Sequence, residues 1–356
     1  MTTTSSELLN VAREVSRAWS PLGGNDAQLT PITGGFSGAC VFQLTFGKSS
    51  PLFALRAWPV GYREFDRLWE LHRFLKFLQL AGFPVPSPYP VHDTGTAIVR
   101  GAQRIWQLEP WLPGTPIDLT HSEQELKNTM HTLARMHLVA ERYEASPAGT
   151  GWCTVGHGPC PSIEERLTTL KRWSPEALSR RLARTSDDAS LFLGVESAAK
   201  GNAATILQLQ PRMLHCFLRL APEVERQLLL LRDTDFRLHP CWRDLWNAHV
   251  LLEEEQVSGF IDAAATRTEH VGTDLSRLLG SLFGNDQSRW EAALAAYTEI
   301  RDLSPSELQL MQVLDRSGLL LSGMTWLSRS ISSPELLGPD ELARWQNQIE
   351  RMEDLP

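Results

Sequence analysis

The stretch that most constrains this chain is residues 239–279, HPCWRDLWNAHVLLEEEQVSGFIDAAATRTEHVGTDLSRLL. Apolar, β-branched arms at 248–252 and 257–261 flank an acidic, solvated turn at 253–256, which is the pattern of a tight hairpin. Asp244 stands just before the first arm, His249 at its start, and Asp262 directly after the second. Closing the hairpin therefore brings two carboxylates and an imidazole to the same end of a two-stranded ribbon. These are groups that move protons or bind metals, and a purely structural ribbon has no need of all three.

The spacing has a counterpart. Asp-x-x-x-x-Asn, then a hairpin, then a second Asp is the catalytic segment of kinases. Here the series reads Asp244, His249, Asp262, and it resembles the aminoglycoside phosphotransferase and choline-kinase-like branch of the protein-kinase-like fold. That branch reads His-Gly-Asp-x-x-x-x-Asn in the loop and opens its metal motif with Ile-Asp-Phe or Ile-Asp-Trp. This chain keeps both aspartates and has Ile261-Asp262 in place. It departs in Trp242-Arg243 for His-Gly, His249 for the metal Asn, and Ala263 for the aromatic residue. A neutral imidazole binds divalent metals but is softer than an amide oxygen and suits Mg²⁺ less well.

A chain of 356 residues is long enough for two domains or one bilobal unit. Its net charge of −8 argues against a general binder of nucleic acid or anionic membrane, which needs clustered Lys and Arg. Five cysteines, an odd number, and an N-terminus without a secretory leader predict a reducing, cytoplasmic setting. No apolar run approaches the roughly 18 residues of a membrane span.

Taken in order, residues 1–26 read as an amphipathic helix and a lead-in of turn residues. Strands follow at 28–32, 39–46 and 52–58. The first two are joined by Thr33-Gly34-Gly35-Phe36-Ser37-Gly38, whose glycines let backbone N–H groups approach a phosphate or simply close a hairpin. Arg56, on the third strand, is either a phosphate-binding cation or an exposed strand arginine. A helix over 63–80 has Phe65, Leu68, Leu71 with His72, Leu75 and Leu78 on one face and stops at Gly82 and Pro84. Strands at 97–100 and 104–111 lead into Glu109-Pro110-Trp111-Leu112-Pro113-Gly114, where the chain passes from sheet to connector.

Beyond Ser122 the pattern is helical. Helices are expected over 123–143, 203–220, 223–231, 275–283, 287–300, 305–328 and 334–352, with 167–202 broken near 185–190. His137 is expected to be a packed, hydrogen-bonded histidine. Cys153, His157 and Cys160 lack the fourth ligand of a closed zinc site and read as incidental. Asp274 caps the 275–283 helix or, as the resemblance implies, braces the catalytic loop 239–262.

The resemblance, which covers roughly 29–283 in the right order, implies a bilobal α+β fold. A nucleotide-binding lobe at 27–112 precedes a helical lobe at 113–356 that carries the catalytic loop 239–262. It further implies Asp244 as the base; His249 and Asp262 as ligands of Mg²⁺; and Gly34, Gly35, Ser37, Gly38 and Arg56 as phosphate-binding groups. Glu109 and Trp111 would belong to the hinge that meets the nucleobase, and one of Glu64, Asp66 and Glu70 would pair with Arg56. The implied activity is transfer of the γ-phosphoryl group of ATP or GTP to a hydroxyl of a small metabolite or aminoglycoside-like acceptor. The loss of the lysine, the asparagine and the aromatic residue also suits a pseudokinase that binds nucleotide and acts through partners. A hydrolase reading lacks a nucleophile or oxyanion motif.

Overall fold

The computed structural model describes residues 5–22, 26–32, 38–47, 51–92, 94–174 and 202–355. The chain gathers into two compact units, 1–155 with 247–267 and 156–246 with 268–356.

The first unit opens with α1 (Ser5–Ser16) and a 3-10 turn, Arg17–Leu22. Its antiparallel sheet contains β1 (Ala27–Ile32), β2 (Cys40–Phe46), β3 (Phe53–Ala57), β4 (Val99–Gly101) and β5 (Arg104–Pro110), in the order β1-β2-β3-β5-β4. Phe42, Leu44, Phe53, Leu55, Trp106 and Leu108 form one face of this sheet's core, with Ala12, Val15 and Trp19 packed in the same cluster. Because side chains alternate along a strand, that choice fixes the other face. It carries Arg56 on β3 and Gln107 and Glu109 on β5, and Arg56 stands directly opposite Gln107 in the register. The hydrophobic alternation thus aims three polar side chains at one place.

Helix α2 (Phe65–Leu80) buries Leu68, Leu71, Phe74, Leu75 and Leu78, close to the expected stripe. Helix α3 (Glu123–Ala140) starts at a reciprocal cap between Ser122 and Glu125. The expected hairpin is present, with its arms at Val250–Glu253 and Gln256–Phe260 and a short third strand, Thr115–Pro116, beside the first arm. Its turn is tighter than expected. Only Glu254 and Glu255 lie between the arms, with φ of 48° and 64°, the geometry of a two-residue hairpin turn. The Asn128 amide donates to the Glu255 carbonyl at 2.8 Å and helps hold this conformation. The first arm starts late because Asn247–His249 forms a 3-10 turn.

The second unit is mostly helical: α4 (Pro161–Arg172), α5 (Asn202–Leu231), α6 (Gly272–Phe283), α7 (Gln287–Thr298), α8 (Pro305–Ser332) and α9 (Pro339–Glu353). A three-stranded sheet orders Arg267–Glu269, Phe236–Cys241 and Gly156–Gly158. Two helices were expected where α5 runs unbroken through Pro211 and Pro222. An interior proline costs about 3 kcal/mol. Here the burial of Ile206, Leu209, Met213, Phe217, Val224 and Leu228 along one stripe outweighs that cost. The expected helix at 334–352 instead starts as a 3-10 turn, Pro334–Leu336, and resumes at Pro339. The expected break at 185–190 lies outside the described residues. Among the described residues no helix is long and apolar enough to cross a membrane.

Candidate functional site

The first unit brings together Arg56, Glu109, Asp262 and His249. Arg56 donates from Nε to Glu109 Oε1 at 3.2 Å and from a terminal nitrogen to Asp262 Oδ1 at 3.1 Å. The other carboxylate oxygen of Asp262 lies 3.8 Å from His249 Nε2. Asp262 has φ 55° and ψ 58°, a left-handed conformation that aspartate tolerates better than most residues. The Ile261 N–H donates to the His249 carbonyl at 2.9 Å, which fixes the two ends of the hairpin against each other. Burial works against the charge on Arg56, but the two carboxylates win and hold its pKa above the ordinary value. Burial also pushes the Glu109 carboxyl up, with Arg56 pulling the other way.

Behind Glu109 the polar chain continues. Gln107 Nε2 donates to Glu109, and Gln107 Oε1 accepts from Trp58 Nε1 at 2.7 Å and from His72 Nε2 at 2.9 Å. With its amide oxygen accepting both, Gln107 requires His72 to carry its proton on Nε2. Burial lowers the His72 pKa to about 4, so the ring is neutral. The sequence placed His72 on the apolar stripe of the 63–80 helix but marked none of Trp58, His72 and Gln107 as a site residue, although the 107/109 alternation against Trp106 and Leu108 was there to be read.

The helix acid expected to pair with Arg56 does not do so: its buried partner is Glu109, a cross-strand diagonal neighbour from β5. Glu64 pairs with Arg67 at 2.9 Å. Glu70 is buried and accepts from the Tyr143 hydroxyl (2.6 Å), the Ser146 hydroxyl (2.6 Å) and the Ser146 N–H (3.1 Å). A Cβ on Gly149 would stand 2.1 Å from that carboxyl, so Gly149 is needed for the close approach. Glu70→Ala leaves three donors without their acceptor and is expected to cost about 2–4 kcal/mol. Urea unfolding checks this, and a loss under about 1 kcal/mol would contradict the anchoring role.

Gly38 is left-handed at φ +72°, and its carbonyl accepts from Arg104, which also donates to the Trp58 carbonyl, both at 2.9 Å. Gly34, Gly35 and Ser37 lie outside the described residues. The Trp111 N–H, expected at the hinge, donates to the Leu52 carbonyl at 3.2 Å and so continues the pairing of β5 with the β3 side. Pro110 and Pro113 have no N–H, which leaves Leu112 to supply one between them.

The second unit holds Asp244 and its supports. Asp274 lies two residues inside α6 and is fully buried, and its carboxylate accepts from the N–H groups of Trp242 (2.9 Å) and Arg243 (2.6 Å). It braces the loop, the second of the two expected roles. Burial pushes its pKa up to about 7, against those two N–H groups and the Arg243 charge. One turn later on the same helix, Arg277 Nε donates to Asp244 Oδ1 at 3.0 Å. Arg243 has φ +67° and reaches Glu165 and the buried Glu269, so its backbone strain is held by charge on both sides. Cys153 and Cys160 are buried while His157 is exposed and faces Asp235 at 3.7 Å, in keeping with incidental residues. His137 is buried, as expected.

A divalent cation fits the donors of the first unit. Asp262 Oδ2 and His249 Nε2 are close enough to bind one ion together, and Asp262 is 41% exposed, which leaves room for phosphate and water as further ligands. Asn247, the amide nearest in sequence, is committed elsewhere, donating to the Ile117 carbonyl at 3.1 Å.

The family model of the phosphotransferase enzyme family matches residues 28–310. No curated protein matches the chain in sequence. Among solved structures, an amicoumacin kinase in complex with AMP-PNP, Ca²⁺ and amicoumacin superposes with a TM-score of 0.60 at 13% identity, over 92% of this chain and 88% of that one. A spectinomycin phosphotransferase with ADP and spectinomycin gives 0.59 at 11%, over 92% of both chains. A microcompartment-associated aminopropanol kinase gives 0.59 at 15%, over 97% and 95%. At such identities these likenesses establish the fold, an α+β kinase-like one with a small antiparallel sheet and a helical remainder. The family rests on the match over most of the chain: the protein belongs to the phosphotransferase enzyme family, the enzymes that pass a phosphoryl group to a hydroxyl.

Proposed function

We propose that the protein transfers the γ-phosphoryl group of ATP or GTP to a hydroxyl of a small metabolite or aminoglycoside-like acceptor. The observation that carries this reading is the setting of Asp262, with one oxygen on the Arg56 guanidinium and the other facing His249. Phosphoryl transfer asks little covalent chemistry of a protein; it asks for position and for cations around the phosphates. Asp244 orients the acceptor hydroxyl and takes its proton. Arg56 and the backbone of 34–38 bind phosphate oxygens, and Glu109 keeps Arg56 aimed. Asp262 and His249 hold the divalent cation, Mg²⁺ or Mn²⁺, which when bound neutralises charge on the phosphates. Leu112 offers the nucleobase the N–H that Trp111 has spent, and Trp111 keeps its indole beside it in sequence. In this scheme 27–112 forms the nucleotide lobe, and 113–356 carries the acceptor and the loop 239–262. The AMP-PNP, ADP and Ca²⁺ of the similar kinases support a nucleotide with a divalent cation.

Thermal unfolding with ATP or GTP, each with and without Mg²⁺ or Mn²⁺, tests the reading. A site saturated about a hundredfold above Kd gains about 2.7 kcal/mol, visible as a shift in Tm. The shift should require metal and vanish in Asp262→Ala. A wild-type protein that no nucleotide stabilises would overturn the proposal. A shift indifferent to metal would turn it toward a pseudokinase.

A further inference from the structure

Around Asp244 the second unit is cationic and aromatic. Arg277 pairs with Asp244 through Nε, which leaves its terminal nitrogens to other partners, and its guanidinium lies 5.8 Å from the centre of the Trp246 ring. Arg344, from α9, lies 5.8 Å from the same ring. Both arginines are exposed, and Trp246 is half-buried. Arg277 is paired with Asp244. The neighbouring acid Glu341 is occupied, accepting from the Gly338 N–H at 3.0 Å in the cap of α9. Among the described residues, no carboxylate is paired with Arg344. An exposed guanidinium held over an indole is a fork for a carboxylate or phosphate, with the indole as a flat apolar floor.

We propose that the hydroxyl acceptor carries an anionic group, a carboxylate or a phosphate, which Arg344 and the free nitrogens of Arg277 bind while its carbon skeleton rests on Trp246. This rests on the phosphotransfer reading and narrows it. A polycationic acceptor would meet like charge here, which costs affinity and so sets specificity. The step itself balances. The hydroxyl oxygen bonds to the γ-phosphorus, the bond from that phosphorus to the β–γ bridging oxygen breaks, and the nucleoside diphosphate leaves with the electron pair. The hydroxyl proton passes to Asp244.

A matched series decides the point: glycerol, glycerate, glycerol 3-phosphate and 3-amino-1,2-propanediol share one skeleton and differ in charge. Diphosphate release and Tm with a non-hydrolysable nucleotide are measured for each, in wild type, Arg344→Gln and Arg344→Glu. In wild type, glycerate or glycerol 3-phosphate should exceed glycerol by about tenfold in kcat/KM, a single charge-assisted contact, and the amine should be poorest. Which anion leads tells carboxylate from phosphate. Arg344→Gln should raise KM for the anion about tenfold with kcat nearly unchanged, and Arg344→Glu should move the preference to the amine. The metal-dependent nucleotide shift should stay the same in both variants. Intact nucleotide binding with the neutral or cationic member preferred, or with no member turning over or stabilising, overturns the acceptor proposal alone. An order unmoved by Arg344→Glu does the same. Loss of nucleotide binding in wild type overturns the phosphotransfer reading with it.

Discussion

Asp244→Asn is expected to lower kcat by about 10²- to 10⁴-fold, the usual contribution of a positioned general base. The change keeps the shape of the side chain and removes the proton acceptor. It should leave the fold alone, because the Asp244 side chain is 49% exposed and its ion pair is with the similarly exposed Arg277. An ion pair of that kind is worth about 0–1 kcal/mol. Metal-dependent stabilisation by nucleotide should persist, since Asp262, His249 and Arg56 are untouched. Diphosphate release measured beside Tm separates the cases. A kcat within threefold of wild type would mean that Asp244 only orients the hydroxyl, and a parallel fall in nucleotide affinity would place it in nucleotide binding.

How far the sequence could be read depended on distance along the chain. The hairpin with Asp244, His249 and Asp262 occupies fewer than two dozen residues, and its chemistry lies in local alternation and turn residues. The order of strands around Arg56 was equally local, as was the stripe of α2. The partner of Arg56 was not. Glu109 is 53 positions away and reaches Arg56 because β3 and β5 pair with Arg56 opposite Gln107. Periodicity shows which face a residue takes, but not which strand lies beside it. The prolines after Glu109 marked a change of structure and so drew the eye to the backbone, whereas the side chain of Glu109 belongs to the sheet behind. The three acids on or beside α2 looked equivalent in sequence. Burial separates them, with Glu70 buried and spent on Tyr143 and Ser146 and the exposed Glu64 paired with Arg67. Helix α5 failed in the opposite way. Its Pro222 is a strong local signal for a break, and tertiary burial overrode it.

Asp274→Asn is expected to have the second large effect, on stability and on rate together. Asn offers one acceptor oxygen where the carboxylate offers two, and its amide would face a backbone N–H of Trp242 or Arg243. One buried donor left unpaired, with the close approach of two others, costs about 2–3 kcal/mol. The loop that carries Asp244 then loses its brace, and a misplacement of about 1 Å lowers kcat by about 10²-fold. The variant also has a pH signature that a simple loss of packing lacks. The native Asp274 carboxyl titrates near 7, above its ordinary 3.8, so between those values the native state holds a proton that the unfolded chain has released. Its contribution to stability is therefore complete below 3.8 and lost as pH rises through 7. His72 acts with the opposite sign: its native pKa is about 4 against an ordinary 6.5, so its contribution is complete above 6.5 and lost as pH falls through 4. Across 4–6.5 the two slopes oppose each other in wild type. Asp274→Asn removes the Asp274 slope and leaves that of His72 in place, so the variant should gain stability from pH 4.5 to 6.5 more steeply than wild type, and its deficit should shrink toward pH 8. Urea unfolding at half-unit steps of pH reads this directly. A deficit constant across the range would show that Asp274 is ionised throughout, with the two N–H groups outweighing burial; a rate unchanged beside a large loss of stability would remove Asp274 from the support of Asp244.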